Sequence, residues 1–175
     1  VRRQRQMCIR DRFDDEARDW FEEMMVDVVE STGLDAPQQI AEIMENRGYE
    51  SVLRKINRLD SGHAARNYYL HLMNFKPWTM PELIDIVDNL DENGHPHLIN
   101  GDFAETLVET LPNDSRLNEE LIAALGHIPS SSDRSRALMQ VIRERAIDQA
   151  SWIELASQAA RIPSSSDKSR VLSLM

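Results

Sequence analysis

Ile128-Pro-Ser-Ser-Ser-Asp-Arg-Ser-Arg-Ala-Leu138 returns 34 residues later as Ile162-Pro-Ser-Ser-Ser-Asp-Lys-Ser-Arg-Val-Leu172, with nine of eleven positions identical. The two differences exchange arginine for lysine and alanine for valine. The same offset relates three further pairs, Asp114 and Asp148, Glu120 and Glu154, and Leu121 and Leu155. A period of this length is typical of one helix–turn–helix unit in a repeat protein, where neighbouring units stack to bury their apolar faces.

The apolar residues inside the unit follow a helical period. Leu138, Val141 and Ile142 fall on one face of a predicted helix. Pro129 and Pro163 stand where the preceding helix is expected to end, because proline lacks the N–H that a helix interior requires. A second helix follows in the unit, and its predicted apolar face consists of Trp152, Leu155, Ala156 and Ala159.

Polar residues at the joints are suited to capping these helices. A side-chain oxygen at a helix N-terminus accepts a hydrogen bond from an N–H group that has no partner inside the helix. We expect the serines and aspartates of 130–133 and 164–167 to cap one helix of each pair. Asp114 and Asp148 are expected to cap the other helix. The unit is therefore predicted as helix, short polar joint, helix and proline break.

Upstream of the clear repeat, the helical pattern continues in degenerate form. Residues 61–69 match the register of 130–138, and residues 101–108 begin another predicted helix. Residues 89–100 are expected to form the longer loop between them. The helix that begins near 61 is expected to bury Tyr68, Tyr69, Leu72 and Met73.

The N-terminal third is also helical in pattern. A first helix is predicted over 14–31, with Gly33 as its stop, and a short pair over 37–47 and 49–59 meets at Gly48. Apolar residues recur at helical spacing along the first helix: Trp20, Phe21, Met24, Met25, Val28 and Val29.

Alternating apolar and polar runs are missing, so we expect almost no strand. The sequence predicts an all-α fold: an α-solenoid of stacked antiparallel helix pairs, HEAT-like, with about ten helices. Residues 13–60 are assigned to an N-terminal helical segment and residues 61–175 to helical repeats, which we expect to be truncated at the C-terminus.

The first residues need separate treatment. Met7-Cys-Ile-Arg-Asp-Arg12 resembles the translation of an adapter used in sequencing libraries. We therefore expect residues 1–12 to be a non-native artefact and leave them out of the fold argument; the alternative is a genuine basic tail. Because Val1 opens the sequence in place of an initiator methionine and the apolar run 171–175 closes it, we expect the native protein to be longer at both ends. The single cysteine, Cys8, lies in the suspected artefact, which disfavours disulfides and thiolate metal sites.

The charge balance narrows the class of partner. The chain carries 20 basic and 30 acidic residues, a net charge of −10. Residues 1–12 hold five arginines and one aspartate, so the rest has 15 basic and 29 acidic residues. Such a surface repels nucleic-acid backbones, so no nucleic-acid partner is expected. No apolar run is long enough to predict a membrane span.

One part of the sequence resembles a known family. Ser164, Asp167, Lys168, Val171 and Leu172 match a bacterial HEAT-like helical repeat with a Ser-Asp-x-Asp-Lys-x-x-Val-Leu type signature, while the serines at 165 and 166 depart from it. The segment 32–69 is similar to the region that precedes such repeats. Because some members of the family carry the array behind an envelope-associated or peptidase domain, the resemblance favours the bacterial envelope or periplasm over the cytoplasm.

Candidate sites are few. His95 and His97 flank Pro96 and are weak candidates for metal ligands, although third and fourth ligands are not evident and a plain polar loop is favoured. The serine runs are candidates for phosphorylation or anion binding, but capping explains them. Trp78 is expected to pack at a helix joint rather than form an exposed contact. An acidic patch around the first helix is a candidate surface for a cation or a basic partner, and it comprises Asp14, Asp15, Glu16, Glu22 and Glu23.

No catalytic signature is present in the sequence, so neither catalytic residues nor cofactors are predicted. We expect a non-catalytic interaction or scaffold module that binds a protein or peptide with basic segments. The alternative is a regulatory or sensing appendage of an envelope-associated enzyme, for instance a peptidase, whose catalytic domain precedes residue 1. A third hypothesis, a metal-dependent enzyme built on His95 and His97, is less favoured.

Overall fold

The computed structural model describes the backbone of residues 15–92 and 98–175 and the side chains of 18–90 and 98–175. Within these ranges the chain forms ten α-helices and no strand, which confirms the all-α class. Residues 1–12 and the histidines His95 and His97 lie outside the described residues. The helices are α1 (Asp15–Thr32), α2 (Ala36–Arg47), α3 (Tyr49–Ile56), α4 (Gly62–Met73), α5 (Met80–Glu92), α6 (Gly101–Thr110), α7 (Ser115–Leu125), α8 (Ser131–Glu144), α9 (Gln149–Ala160) and α10 (Ser165–Leu172).

The repeated serines begin two of these helices in the same way. Ser130 Oγ accepts a hydrogen bond from the Asp133 N–H at the start of α8, and Ser164 Oγ accepts one from the Asp167 N–H at the start of α10, both at 3.3 Å. The backbone angles agree closely, with φ −74° and ψ 118° at Ser130 and φ −73° and ψ 119° at Ser164. The capping prediction is confirmed, and the first serine of each run is the cap.

The predicted aspartate caps are also confirmed. Asp114 accepts a hydrogen bond from the Arg116 N–H at 3.1 Å to begin α7, and Asp148 accepts one from the Ser151 N–H at 2.8 Å to begin α9. The bond from the Ser151 N–H lowers the pKa of Asp148, because it stabilises the carboxylate. Upstream, Ser61 caps α4, as its match to the later serines predicts.

In the C-terminal part, helices two apart in sequence pack side by side. Helices α5, α7 and α9 form one row, and α6, α8 and α10 form a second row against it. Nearer the N-terminus, α4 packs against α1, α2 and α3. Apolar burial between these helices is the main source of stability. The largest fully buried side chains are Tyr68, Tyr69, Phe103, Ile40, Ile56, Leu72, Ile86, Leu107, Leu117, Leu121, Ile122 and Leu125.

Two buried serine hydroxyls join neighbouring units. Ser135 Oγ on α8 donates to the Asp167 carbonyl oxygen on α10 at 3.1 Å. Ser151 Oγ on α9 donates to the Ser115 carbonyl oxygen on α7 at 3.4 Å. Each hydroxyl therefore has a partner in the adjacent unit, which a buried polar group requires.

Arg145, just after α8, is a buried cation with only 7% of its surface exposed. Its Nε donates to Asn118 Oδ1 at 2.5 Å, and its Nη1 donates to the Val108 and Leu111 carbonyl oxygens at 2.7 and 3.2 Å. Its Nη2 donates to the Pro112 carbonyl oxygen. A helix C-terminus favours a cation, because its last carbonyl groups have no partner inside the helix. Burial lowers the pKa of Arg145.

Asn118, fully buried on α7, extends this contact to the next joint. Its Nδ2 donates to the Ala146 carbonyl oxygen at 2.8 Å and to Asn113 Oδ1 at 3.1 Å. Asn113 Oδ1 also accepts the Ala146 N–H at 2.9 Å. Together with Arg145, these bonds fasten the joint between α6 and α7 to the joint between α8 and α9.

Some local predictions need correction. Helix α5 continues to Glu92, inside the predicted loop 89–100, because Leu90 extends its buried face. Helix α3 ends at Ile56 rather than at residue 59. Met73 is only partly buried.

The predicted face of α9 is also partly wrong. Ala156 is exposed, while Ser151 and Gln158 are buried beside Leu155. Ser151 occupies its position through the hydrogen bond to α7. Gln158 lies against Gly126 so closely that a Cβ there would meet its Oε1 at 2.1 Å. Polar side chains therefore fill positions of this face that the hydrophobic pattern does not mark.

The serine caps make a measurable contribution to stability. We expect Ser130→Ala to lower the free energy of unfolding by about 1 kcal/mol, because the Asp133 N–H loses its acceptor. The control Ser132→Ala changes an exposed serine of the same run and should shift it by less than about 0.5 kcal/mol. Urea denaturation of both variants measures the difference. Equal effects would contradict the assignment of Ser130 as the cap.

Removing the buried guanidinium should cost more. Arg145→Met keeps much of the apolar stem but leaves Asn118 and three carbonyl groups without this donor, so we expect a loss of about 3 kcal/mol in the free energy of unfolding. The matched control is Arg143→Met on the exposed side of α8, with an expected change below about 0.5 kcal/mol. Urea denaturation compares the two, and similar values would show that Arg145 does not hold the joints together.

Candidate functional site

The candidate metal ligands His95 and His97 cannot be placed, since they lie outside the described residues. Among the residues that are described, no group of three histidine, cysteine or acidic side chains is arranged to hold a metal ion. No helix in the same part of the chain is long and apolar enough to cross a membrane.

The serine runs and Trp78 have structural roles. Ser130 and Ser164 are occupied as helix caps. Trp78 is half-buried at the joint between α4 and α5, where its Nε1 donates to the Leu72 and Met73 carbonyl oxygens at 3.0 and 3.1 Å. These bonds confirm the packing interpretation of Trp78.

The surroundings of Trp78 form a compact polar and aromatic joint. Tyr49 meets the indole edge-on at a centroid distance of 5.7 Å, and Lys76 Nζ lies 4.4 Å from the ring centroid. The Tyr49 hydroxyl donates to Asp85 at 2.7 Å, and this bond raises the pKa of Tyr49 to about 12. Glu82 caps α5 by accepting from both the N–H and the hydroxyl of Thr79, which lowers the pKa of Glu82 to about 2. The carboxylates of Asp85 and Glu82 at this joint therefore make hydrogen bonds that stabilise the fold.

Helix α1 presents apolar side chains to solvent. Trp20 is 63% exposed, Met25 39% and Val28 37%, while Met24 and Val29 are half-buried. The predicted helix at this position is confirmed, and it ends at Thr32, one residue later than predicted. Its apolar spacing is typical of a core-facing helix, yet the described chain leaves most of this face in water. An exposed apolar surface of this kind makes α1 a candidate contact region.

The same helix is strongly acidic. Its sequence holds seven acidic residues and one basic residue, Arg18. At about 100° per residue, most apolar residues fall on one half of the helix circumference, with Arg18 among them, and the acidic residues fall on the other half, with Val26 among them. Glu22 and Asp27 stand at the two borders between these halves. The predicted acidic patch thus combines with an apolar stripe; its members Asp14, Asp15 and Glu16 have no described side chains.

The C-terminal end of α1 is firmly attached to the body of the protein. Gly33 turns the chain with φ +66°, and a Cβ at this position would lie 3.0 Å from the Ala64 carbonyl oxygen. Ser61 Oγ donates to the Ser31 carbonyl oxygen at 2.6 Å, and Asn67 Nδ2 donates to the Thr32 carbonyl oxygen at 2.7 Å. Helix α4 and its cap therefore hold α1 by its last turn.

A cleft of about 560 Å³ lies beside this attachment. Asp27 and Glu30 of α1 line one side of the cleft. Lys55, Arg58 and Asp60 also line it. Acidic and basic side chains share the walls, so the cleft has no dominant charge. The acidic character of α1 is accordingly offset in part near its last turn by Lys55 of α3 and by Arg58 just after it.

Comparison with protein-family models, with curated proteins and with solved structures finds no match to this chain.

Exposure of the α1 face can be measured directly. We expect acrylamide to quench Trp20 most strongly, because Trp78 and Trp152 are half-buried. Trp20→Phe should therefore remove the most accessible part of the fluorescence and shift the remaining emission to shorter wavelength. The control Trp78→Phe should leave the accessible component in place. Unchanged quenching in Trp20→Phe would mean that this face is covered.

Proposed function

We propose that the chain is a non-catalytic protein-binding module, an α-solenoid of HEAT-like helix pairs. The observation that carries the proposal is the recurrence of one structural unit: the same serine cap begins α8 and α10, and helices two apart pack side by side. Repeats of this kind contact mainly their neighbours and create extended surfaces suited to protein and peptide partners. The resemblance to bacterial helical repeats agrees with this reading.

The roles of the charged side chains support binding rather than chemistry. Asp114 and Asp148 cap helices, Glu82 caps α5, and Asp85 accepts from Tyr49. Arg145 is buried against neutral oxygens. Each of these charged side chains makes hydrogen bonds to other groups of the fold.

The charge of the surface favours a basic partner. Beyond residue 12 the chain has 15 basic and 29 acidic residues. Exposed carboxylates lie on several helices, among them Asp88 on α5, Glu105 on α6 and Glu119 on α7. An acidic surface attracts basic segments and repels acidic ones, and salt screens both effects. We therefore propose protein partners that present basic segments.

Peptide binding tests the proposal. A fluorescein-labelled amphipathic peptide of leucine, lysine and alanine should bind the full chain, and its affinity should fall several-fold when ionic strength rises from about 0.05 to 0.5 M. A peptide with glutamate in place of each lysine is the control and should not bind. Fluorescence anisotropy gives both dissociation constants. Absence of binding by the lysine peptide, or equal binding by both, would contradict the proposal.

A further inference from the structure

Helix α1 differs from the other helices in having a long apolar stripe that is largely open to solvent. Its 18 residues correspond to a length of about 27 Å. Trp20, Met24 and Val28 are spaced four residues apart and form one ridge along the helix, and Met25 lies in a second row beside it. We propose that this face is the docking site for an amphipathic helix with basic flanks, contributed by a partner protein; the inference rests on the proposed function above and assigns its site.

The shape of the stripe favours a helical partner. Ridges of side chains four residues apart accept the side chains of a second helix in the grooves between them. A Trp and two Met residues provide large, adaptable apolar contacts, and such residues are typical of helix-binding surfaces. The attachment at Gly33 holds one end of α1 against α4, so the stripe is presented from a fixed base.

The charges select the partner. Glu22 and Asp27 border the stripe, and Asp19, Glu23 and Glu30 occupy the rest of the circumference. A docked helix with lysine or arginine beside its apolar stripe would place those cations next to the border carboxylates. A second copy of α1 would instead bring seven acidic residues against seven, with one arginine on each side, and the like charges would repel. Charge complementarity thus favours a basic helix over self-association.

The test uses the full chain and the lysine-bearing amphipathic peptide of about 18 residues, matched to the length of α1. Trp20→Ala combined with Met25→Ala should weaken binding at least about tenfold, because both side chains lie in the proposed contact. Trp20→Phe keeps an aromatic contact and should retain most of the affinity. Ile153→Ala on α9 is the matched control: Ile153 is 65% exposed, and its loss should change the dissociation constant less than about twofold.

Charge reversal separates the docking site from general attraction. Glu22→Lys with Asp27→Lys should weaken the peptide more than Asp88→Lys with Glu119→Lys, which adds the same charge on α5 and α7. All five substituted positions of these pairs and of the α9 control are exposed, so thermal unfolding by circular dichroism should match that of the unsubstituted chain.

The outcomes are distinct. Loss of binding confined to the α1 variants supports the docking site. If the peptide binds and the α1 variants bind equally well, the docking site is wrong while the proposed function stands. If the unsubstituted chain does not bind the peptide at all, both fail. A dimer in sedimentation that Trp20→Ala abolishes would also overturn the inference, because a second copy would then occupy the face.

Discussion

A helix with one apolar face has to be covered by another helix, and the arrangement of the described residues follows from that requirement. Each short helix here forms too few hydrogen bonds and buries too little surface to persist alone. Rows formed by α5, α7 and α9 and by α6, α8 and α10 provide the missing cover. Serine caps set where α4, α8 and α10 begin, and Arg145 fixes one joint to the next through neutral oxygens.

Helix α1 is the exception to this requirement, and that exception makes it informative. Its stripe is apolar, yet Trp20 and Met25 remain in water. Exposing such a face carries a free-energy cost of roughly 25 cal/mol for each Å² that could have been buried. The acidic half of the helix carries charge next to this apolar stripe, and like charges on two copies of α1 would repel each other. The apolar stripe and the negative charge of α1 are together the reason for proposing an amphipathic helix with basic flanks as the partner.

Much of the fold could be predicted from the sequence, because the decisive signals are local. The Ser-Ser-Ser-Asp runs and the prolines at 129 and 163 mark helix boundaries through backbone chemistry, and the caps at Ser130 and Ser164 lie where expected. The buried role of Arg145 could not be predicted, because its acceptors are 27 to 37 residues away in sequence and become neighbours only after packing. The exposure of the α1 stripe could not be predicted from the sequence either, because helical spacing predicts an apolar face but not which element covers it.

Hydrogen exchange measured by mass spectrometry, with and without the basic amphipathic peptide, tests the central claim most directly. In the free chain, the amides of α1 should exchange much faster than those of α7 and α8, because packed neighbours protect the latter. Addition of the peptide should slow exchange in α1 and leave the two rows of helices unchanged. Protection that appears on α5, α7 and α9 while α1 continues to exchange freely would contradict the account.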